Sequence, residues 1–297
     1  MSDLAKARDQ PAEHCEPMTP FTKMHGLGND FIVVDEWDSR VSKEFFNSAR
    51  VREWCDRRFG IGADQILIVG PALTSVKNTR VDSKMEIWNA DGSRAEMCGN
   101  GIRAVALYLH DHAPEGLRGK ASYQIETGAG VLEVFVSGRS VRVNMGPPRI
   151  LADAFEEIET PLGRRQFWEV NMGNPHAVFF LSPQESLQSF PLEQIGPYIE
   201  NHSRFPKRTN VEFVQLKAPG ELEVRVWERG AGITLACGTG ACASAVAALR
   251  SGLLGALGSG QVKVGLPGGS LVLAWDGQQN GPVWMTGPAV EVFQGLY

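Results

Sequence analysis

Two short segments of this 297-residue chain place a cysteine directly before Gly-X-Gly: MCGNGIRA around Cys98 and ACGTGACA around Cys237. In both, the small and apolar residues that follow predict a helix beginning just after the cysteine. Unpaired N–H groups and the dipole at a helix start stabilise an anion. A thiol there is expected to have a lowered pKa, and the glycines let the backbone close up to a bound group. A single free cysteine is more often a small buried hydrophobe. Two at equivalent places point to chemistry that needs a pair. Inverting a stereocentre takes a proton off one face and returns one to the other, which a thiolate base and a thiol acid can do together. The reference thiol pKa of about 8.5 needs only a modest shift for this work, and two facing thiolates would repel, so the pair should hold one proton between them. An α-carboxylate seated on the two helix starts would be stabilised as Cα loses its proton. The expected chemistry is epimerisation of an amino acid at Cα without a cofactor.

The elements that must carry these cysteines come from a duplicated sequence. MEIWNADGSRAEMCGNGIRAVA at 85–106 resembles VRVWERGAGITLACGTGACASA at 224–245, so that Trp88 matches Trp227 and Cys98 matches Cys237, each pair 139 residues apart. Further anchors keep the same order: Gly28-Asn29 with Gly173-Asn174, Asp64 with Asn210, Thr127-Gly128 with Pro267-Gly268, and Gly146-Pro147 with Gly287-Pro288. Short β-branched runs such as FIVVD, QILIVG, HAVFFL and VEFVQL alternate with turn residues, predicting strands. Ile102, Val105, Ala106 and Leu109 follow helical spacing, and ACASAVAALRSG is small and apolar all round, as a helix enclosed by a sheet would be, with Gly252 as its stop. The predicted class is α+β, with two similar domains. Each is a curved or barrel-like, mostly antiparallel sheet around one central helix. Expected bounds are a disordered extension over 1–20, a first domain over 21–146 joined by 288–297, and a second over 147–287.

Composition narrows the function classes. The net charge of −5 and the absence of a Lys/Arg run give no reason to expect nucleic acid or an anionic membrane as partner. No stretch approaches the roughly 18–20 apolar residues of a membrane helix, and the polar N-terminus does not read as a secretory signal. Five widely spaced cysteines (15, 55, 98, 237 and 242) argue against a disulfide framework and for a reducing cytoplasm. They include no CxxC pair, so neither a zinc site nor a redox dithiol is favoured, and no metal is expected. Both glycine segments match G-x-G-x-x-G/A, so a nicotinamide oxidoreductase competes. That fingerprint needs a strand running into its first glycine, and NADGSRAEMC and ERGAGITLAC intervene. A non-catalytic amino-acid-binding protein would also suit two domains and a cleft, but it leaves the paired cysteines unexplained. No pyridoxal-phosphate site is apparent.

From about Phe21 to its end the chain closely resembles the diaminopimelate epimerase family. The resemblance rests on HGLGNDF (25–31), GADQ (62–65), NADGSRAEMCGNGIRA, GNPHAV (173–178), FPKRTNVEF (205–213) and ERGAGITLACGTGACA (228–243). It implies interconversion of LL- and meso-diaminopimelate for lysine and cell-wall synthesis, with no cofactor and no metal, by a homodimer. Cys98 and Cys237 match the two catalytic bases. Asn29, Gln65, Asn89, Asn174, Asn210, Glu228 and Arg229 match substrate-binding positions. Gly99-Asn100 and Gly238-Thr239 match the backbone anion sites, and His176 and Glu228 match groups that adjust the thiols. Arg229 could then hold the distal carboxylate bidentately, and Glu228 an ammonium group. Read without the resemblance, Asn29, Asn89 and Asn174 are turn residues, and Gln65 and Asn210 are strand-edge polar residues. His176 is then a structural histidine, and Glu228–Arg229 a surface ion pair. Arg94, Ile233 and Phe293 depart from the family's usual pattern, at positions outside the expected catalytic set.

Overall fold

The computed structural model describes residues 18–41, 46–72, 81–151, 154–254 and 260–297. The first half runs β1 (Pro20–Gly26), β2 (Asn29–Asp35), α1 (Ser48–Cys55), β3 (Gln65–Gly70), β4 (Ser83–Asn89), β5 (Arg94–Ala95), α2 (Gly99–His112), β6 (Ser122–Thr127), β7 (Gly130–Ser137) and β8 (Ser140–Asn144). The second runs β9 (Arg149–Ile150), β10 (Glu156–Thr160), β11 (Gly163–Asn171), β12 (Pro175–Phe180), α3 (Leu192–Glu200), β13 (Asn210–Ala218), β14 (Glu221–Glu228), β15 (Gly232–Ile233), α4 (Gly238–Arg250), β16 (Gln261–Leu266), β17 (Gly269–Ala274), β18 (Trp284–Pro288) and β19 (Val290–Leu296).

The duplication is visible in the pairing. Strands β2 and β3 are parallel, as are β4 and β6; the second half repeats both with β12–β13 and β14–β16. The other pairings among the described residues are antiparallel, as the alternating runs predicted. Helix α2 packs against β1, β2, β3, β7 and β8, and α4 against β11, β12, β13, β14, β16 and β17, so each half wraps its sheet around one helix. The core follows: α2 is buried from Gly99 to Leu109 and α4 from Gly238 to Ala248. Helix α2 stops before Pro114, and Gly252 follows the end of α4 with a φ of 74°. The halves are joined by β8 pairing with β18 and by β19 returning to lie beside β1.

Three local features differ from expectation or lie outside it. Residues 1–17, including Cys15, fall outside the described residues, but Thr19 and Pro20 are already built into the fold. Thr19 and Tyr297 exchange both backbone hydrogen bonds, at 2.8 and 3.0 Å. Helices α1 and α3 were not foreseen from sequence. Arg94 lies 3.7 Å over the Trp88 ring, and Phe293 meets Phe21 edge-on at 6.0 Å, so these two departures from the family pattern have packing partners.

Candidate active site

Both cysteines are helix N-caps in extended backbone, Cys98 of α2 and Cys237 of α4. Each sulfur accepts a hydrogen bond from the N–H three residues on, Gly101 at 3.3 Å and Gly240 at 3.4 Å. The two helix starts meet. A Cβ built on Gly99 would stand 3.5 Å from the Gly238 Cα, and one on Gly238 would stand 3.4 Å from the Gly99 Cα, with the Met285 side chain against both. The two backbones are thus within van der Waals reach of each other, and the tighter contact an added Cβ would meet is the Met285 side chain, at 3.3 Å for Gly99 and 3.2 Å for Gly238.

Around Cys98, the β1–β2 hairpin presents Asn29. Its two turn residues, Leu27 and Gly28, both have positive φ, 56° and 85°, the conformation of a tight hairpin turn and an unfavourable one for leucine. Burial of Leu27 against the glycines of the β16–β17 turn holds it there. The Asn29 amide donates to Asp64 at 2.9 Å, which turns its oxygen toward the Cys98 sulfur, 3.7 Å away, and the Asn100 amide, 3.3 Å away. Asn100 also donates to the carbonyl of Ala236, the residue before Cys237, at 2.9 Å. Gln65 and Asn89, paired in register at the same sheet end, share a hydrogen bond of 2.8 Å.

Around Cys237 a buried chain of groups runs outward. The sulfur lies 3.5 Å from the Thr239 hydroxyl, to which Asn174 donates at 3.3 Å. His176 contacts Asn174 at 2.9 Å and Glu212 at 2.7 Å, and both His176 and Glu212 are fully buried. Glu228 accepts from Thr234 and stands beside Cys237. Asn210 donates to the Pro175 carbonyl and accepts from the Arg229 backbone N–H, both at 2.9 Å.

The electrostatics correct the expectation of lowered thiol pKa values. Loss of water pushes the Cys98 thiol up to about 11 despite the helix N–H groups. Cys237 is raised well above the ordinary value, chiefly by burial and then by the neighbouring Glu228 and Glu212 carboxylates. Burial also raises Glu228. At both cysteines desolvation outweighs the helix terminus.

The match to the family model described as diaminopimelate epimerase covers residues 21–151 and 168–292. The chain belongs to the diaminopimelate epimerase family. It is 46% identical to diaminopimelate epimerase 1 of Nostoc sp., over 93% of this chain and 98% of that one. It is 43% identical to the diaminopimelate epimerase of Pelotomaculum thermopropionicum, with the same coverage. Among solved structures, a hydroxyproline epimerase from Agrobacterium vitis superposes with a TM-score of 0.69 at 17% identity, covering 95% of this chain and 93% of that one. A methylitaconate-delta-isomerase gives 0.64 at 14% identity, with 94% and 95% coverage. These two establish the shared two-domain fold.

For this diaminopimelate epimerase family member, the structure gathers Cys98, Cys237, Asn29, Gly99, Asn100, Asn174, His176, Gly238, Thr239 and Glu228 around the meeting helix starts. Gln65, Asn89 and Asn210 line the adjoining strand ends. Arg229 is an exposed turn residue whose guanidinium reaches the Lys207 carbonyl at 3.3 Å, and it forms no ion pair with Glu228. Sequence reasoning gave no role to Asp64, which orients Asn29, or to Glu212. The signal for Glu212 was present: it is a carboxylate in VEFVQL, a strand apolar enough to be buried on both faces. Among the described residues no helix is long and apolar enough to cross a membrane.

Proposed function

We propose that the protein epimerises LL-diaminopimelate to meso-diaminopimelate, with Cys98 and Cys237 as the paired base and acid. The observation that carries this reading is the convergence of two cysteine-capped helix starts at Gly99 and Gly238. One thiolate takes the Cα proton and becomes a thiol. The opposing thiol gives its proton to the other face and becomes a thiolate, so the pair is restored with its roles exchanged. Between these events the electron pair is delocalised into the α-carboxylate, which the N–H groups of Gly99-Asn100 and Gly238-Thr239 stabilise. Glu228, with its proton affinity raised by burial, is suited to accept the Cys237 proton when substrate enters. Asn29, Gln65, Asn89, Asn174 and Asn210 offer the mixed donors and acceptors that a zwitterion requires. His176 positions Asn174, and in this reading Arg229 swings from the Lys207 carbonyl to hold the distal carboxylate. No cofactor or metal enters this scheme. We place the protein in the cytoplasm, in lysine and cell-wall precursor synthesis, as a homodimer. Free thiols at Cys55, Cys98, Cys237 and Cys242 support a reducing compartment.

The deciding experiment incubates reduced protein with LL-diaminopimelate in D₂O without added cofactor, following Cα deuteration and stereochemistry. Wild type should yield deuterated meso product, and Cys98→Ala and Cys237→Ala should each lose at least about a thousandfold in rate. Full exchange in either variant would rule out a two-thiol mechanism.

A further inference from the structure

The first turns of α2 carry a charge that this mechanism does not use. Arg103 is fully buried. Among the described residues it is the one buried cation with no carboxylate at ion-pair distance, since Lys23 pairs with Asp30, and Lys84 with Glu36 and Glu86. Burying an uncompensated charge is costly enough to call for a reason. The Arg103 guanidinium is held by dipoles. It donates to the Gly99 carbonyl at 3.0 Å, to Asn100 Oδ1 at 2.9 Å and to the Pro288 carbonyl at 3.3 Å, and Nη1 lies 3.6 Å from the Met285 sulfur. Two glycines make room for it: a Cβ on Gly26 would stand 3.2 Å from Nη2, and one on Gly287 would stand 3.3 Å from Nε. Its counterpart in the second half, 139 residues on, is Cys242. One helix therefore carries a long cation where its copy carries a small side chain.

We propose that Arg103 is a positioning residue, the built-in counter-charge of the Cys98 thiolate, kept in place by Gly99 and Asn100 at the helix start. The inference deepens the two-thiol reading and rests on it. At Cys98 the charge of Glu228 from β14 opposes ionisation, the N–H groups of Gly101 and Asn100 favour it and Asn29 from β2 is neutral; Arg103, bonded to the two residues that follow Cys98, is the cation that favours it. Its bond to Asn100 Oδ1 also turns the Asn100 amide toward Ala236 and Asn29. Movement of the guanidinium would therefore disturb the approaches to both cysteines.

The test is the pH profile of iodoacetamide alkylation at Cys98, resolved from the other cysteines by peptide mass, in wild type, Arg103→Met and Arg103→Lys. Without the charge, the Cys98 midpoint should rise by about one pH unit or more, the scale of a lost unit charge in a desolvated site. With lysine it should stay within about three tenths of wild type, while kcat for α-proton exchange falls more than KM changes. A folded Arg103→Met protein with the wild-type Cys98 profile would overturn the proposal. If Arg103→Met does not fold, Arg103→Gln, which keeps amide donors without the charge, decides: a midpoint raised above wild type supports the proposal, and an unchanged one overturns it. Alkylation needs no substrate, so failure of exchange, which would sink the two-thiol reading, leaves this readout intact.

Discussion

A thiol at a helix start is subject to two opposed effects. The N–H groups favour the thiolate, and loss of water favours the thiol. Here the second dominates at both cysteines, and at Cys237 the carboxylates of Glu228 and Glu212 add to it. Burial favours the thiol at both, so generating a base at either cysteine means handing a proton to a neighbouring group. This separates two effects of Glu228. Its negative charge raises both thiols, so Glu228→Gln should lower the alkylation midpoints of Cys98 and Cys237. If Glu228 also receives the Cys237 proton, the same change should slow α-proton exchange by about a hundredfold or more. More reactive thiols with slower turnover would be the signature. Slower turnover with unchanged midpoints would mean that Glu228 acts only on substrate. The sequence made the cysteines legible because they occur twice with the same neighbours. It could not show that burial would override the helix terminus, because desolvation depends on the packing of both halves.

At the scale of elements, the strands that paired turns enclose were readable from alternation, and the two central helices from their glycine starts. Helices α1 and α3 escaped because they are short, with 8 and 9 residues, and α3 carries Pro197 inside it. Their support is tertiary, a factor that periodicity does not contain. The duplicated turns matter more than their sequence suggests. In the first half the Ala129 N–H donates to the Glu96 carbonyl, and in the second Gly268 donates to Leu235, so each hairpin turn fastens the strap ahead of a cysteine. The second turn also presses on the Leu27 turn that presents Asn29. A Cβ on Gly268 would stand 1.9 Å from the Leu27 carbonyl oxygen, and backbone cannot yield as a side-chain tip can. Gly268→Ala should therefore cost about 1–3 kcal/mol of stability, read as a lower Tm. By moving Asn29 it should also cut kcat/KM about tenfold or more. Wild-type Tm and turnover together would show that the two turns adjust freely.

For the whole molecule, enclosing a helix in each sheet buries thiols that titrate far above their free values. Burial pushes Cys242, fully enclosed in α4, up to about 12, with Arg103 opposing the rise, and pushes Cys55 to about 11. The consequence for stability has a definite sign. Between the free thiol pKa of about 8.5 and these raised values, the unfolded chain releases protons that the folded chain retains. Rising pH therefore favours unfolding, by up to roughly 1.4 kcal/mol per pH unit for each such thiol. Below pH 8 the contribution is fully present. Other groups titrate in the same range, so the comparison that isolates it is wild type against Cys242→Ala. Near pH 7.5 the variant should be less stable by about 1 kcal/mol, the scale of a small core deletion. As the pH is raised towards 10.5 that deficit should shrink and then reverse, because alanine has no proton to lose. Urea denaturation at closely spaced pH values would measure the difference directly. A stability gap constant from pH 7.5 to 10.5 would mean that Cys242 ionises as readily in the folded protein as in the unfolded chain. The core around α4 would then be open to water, contrary to the packing that brings the two helix starts together.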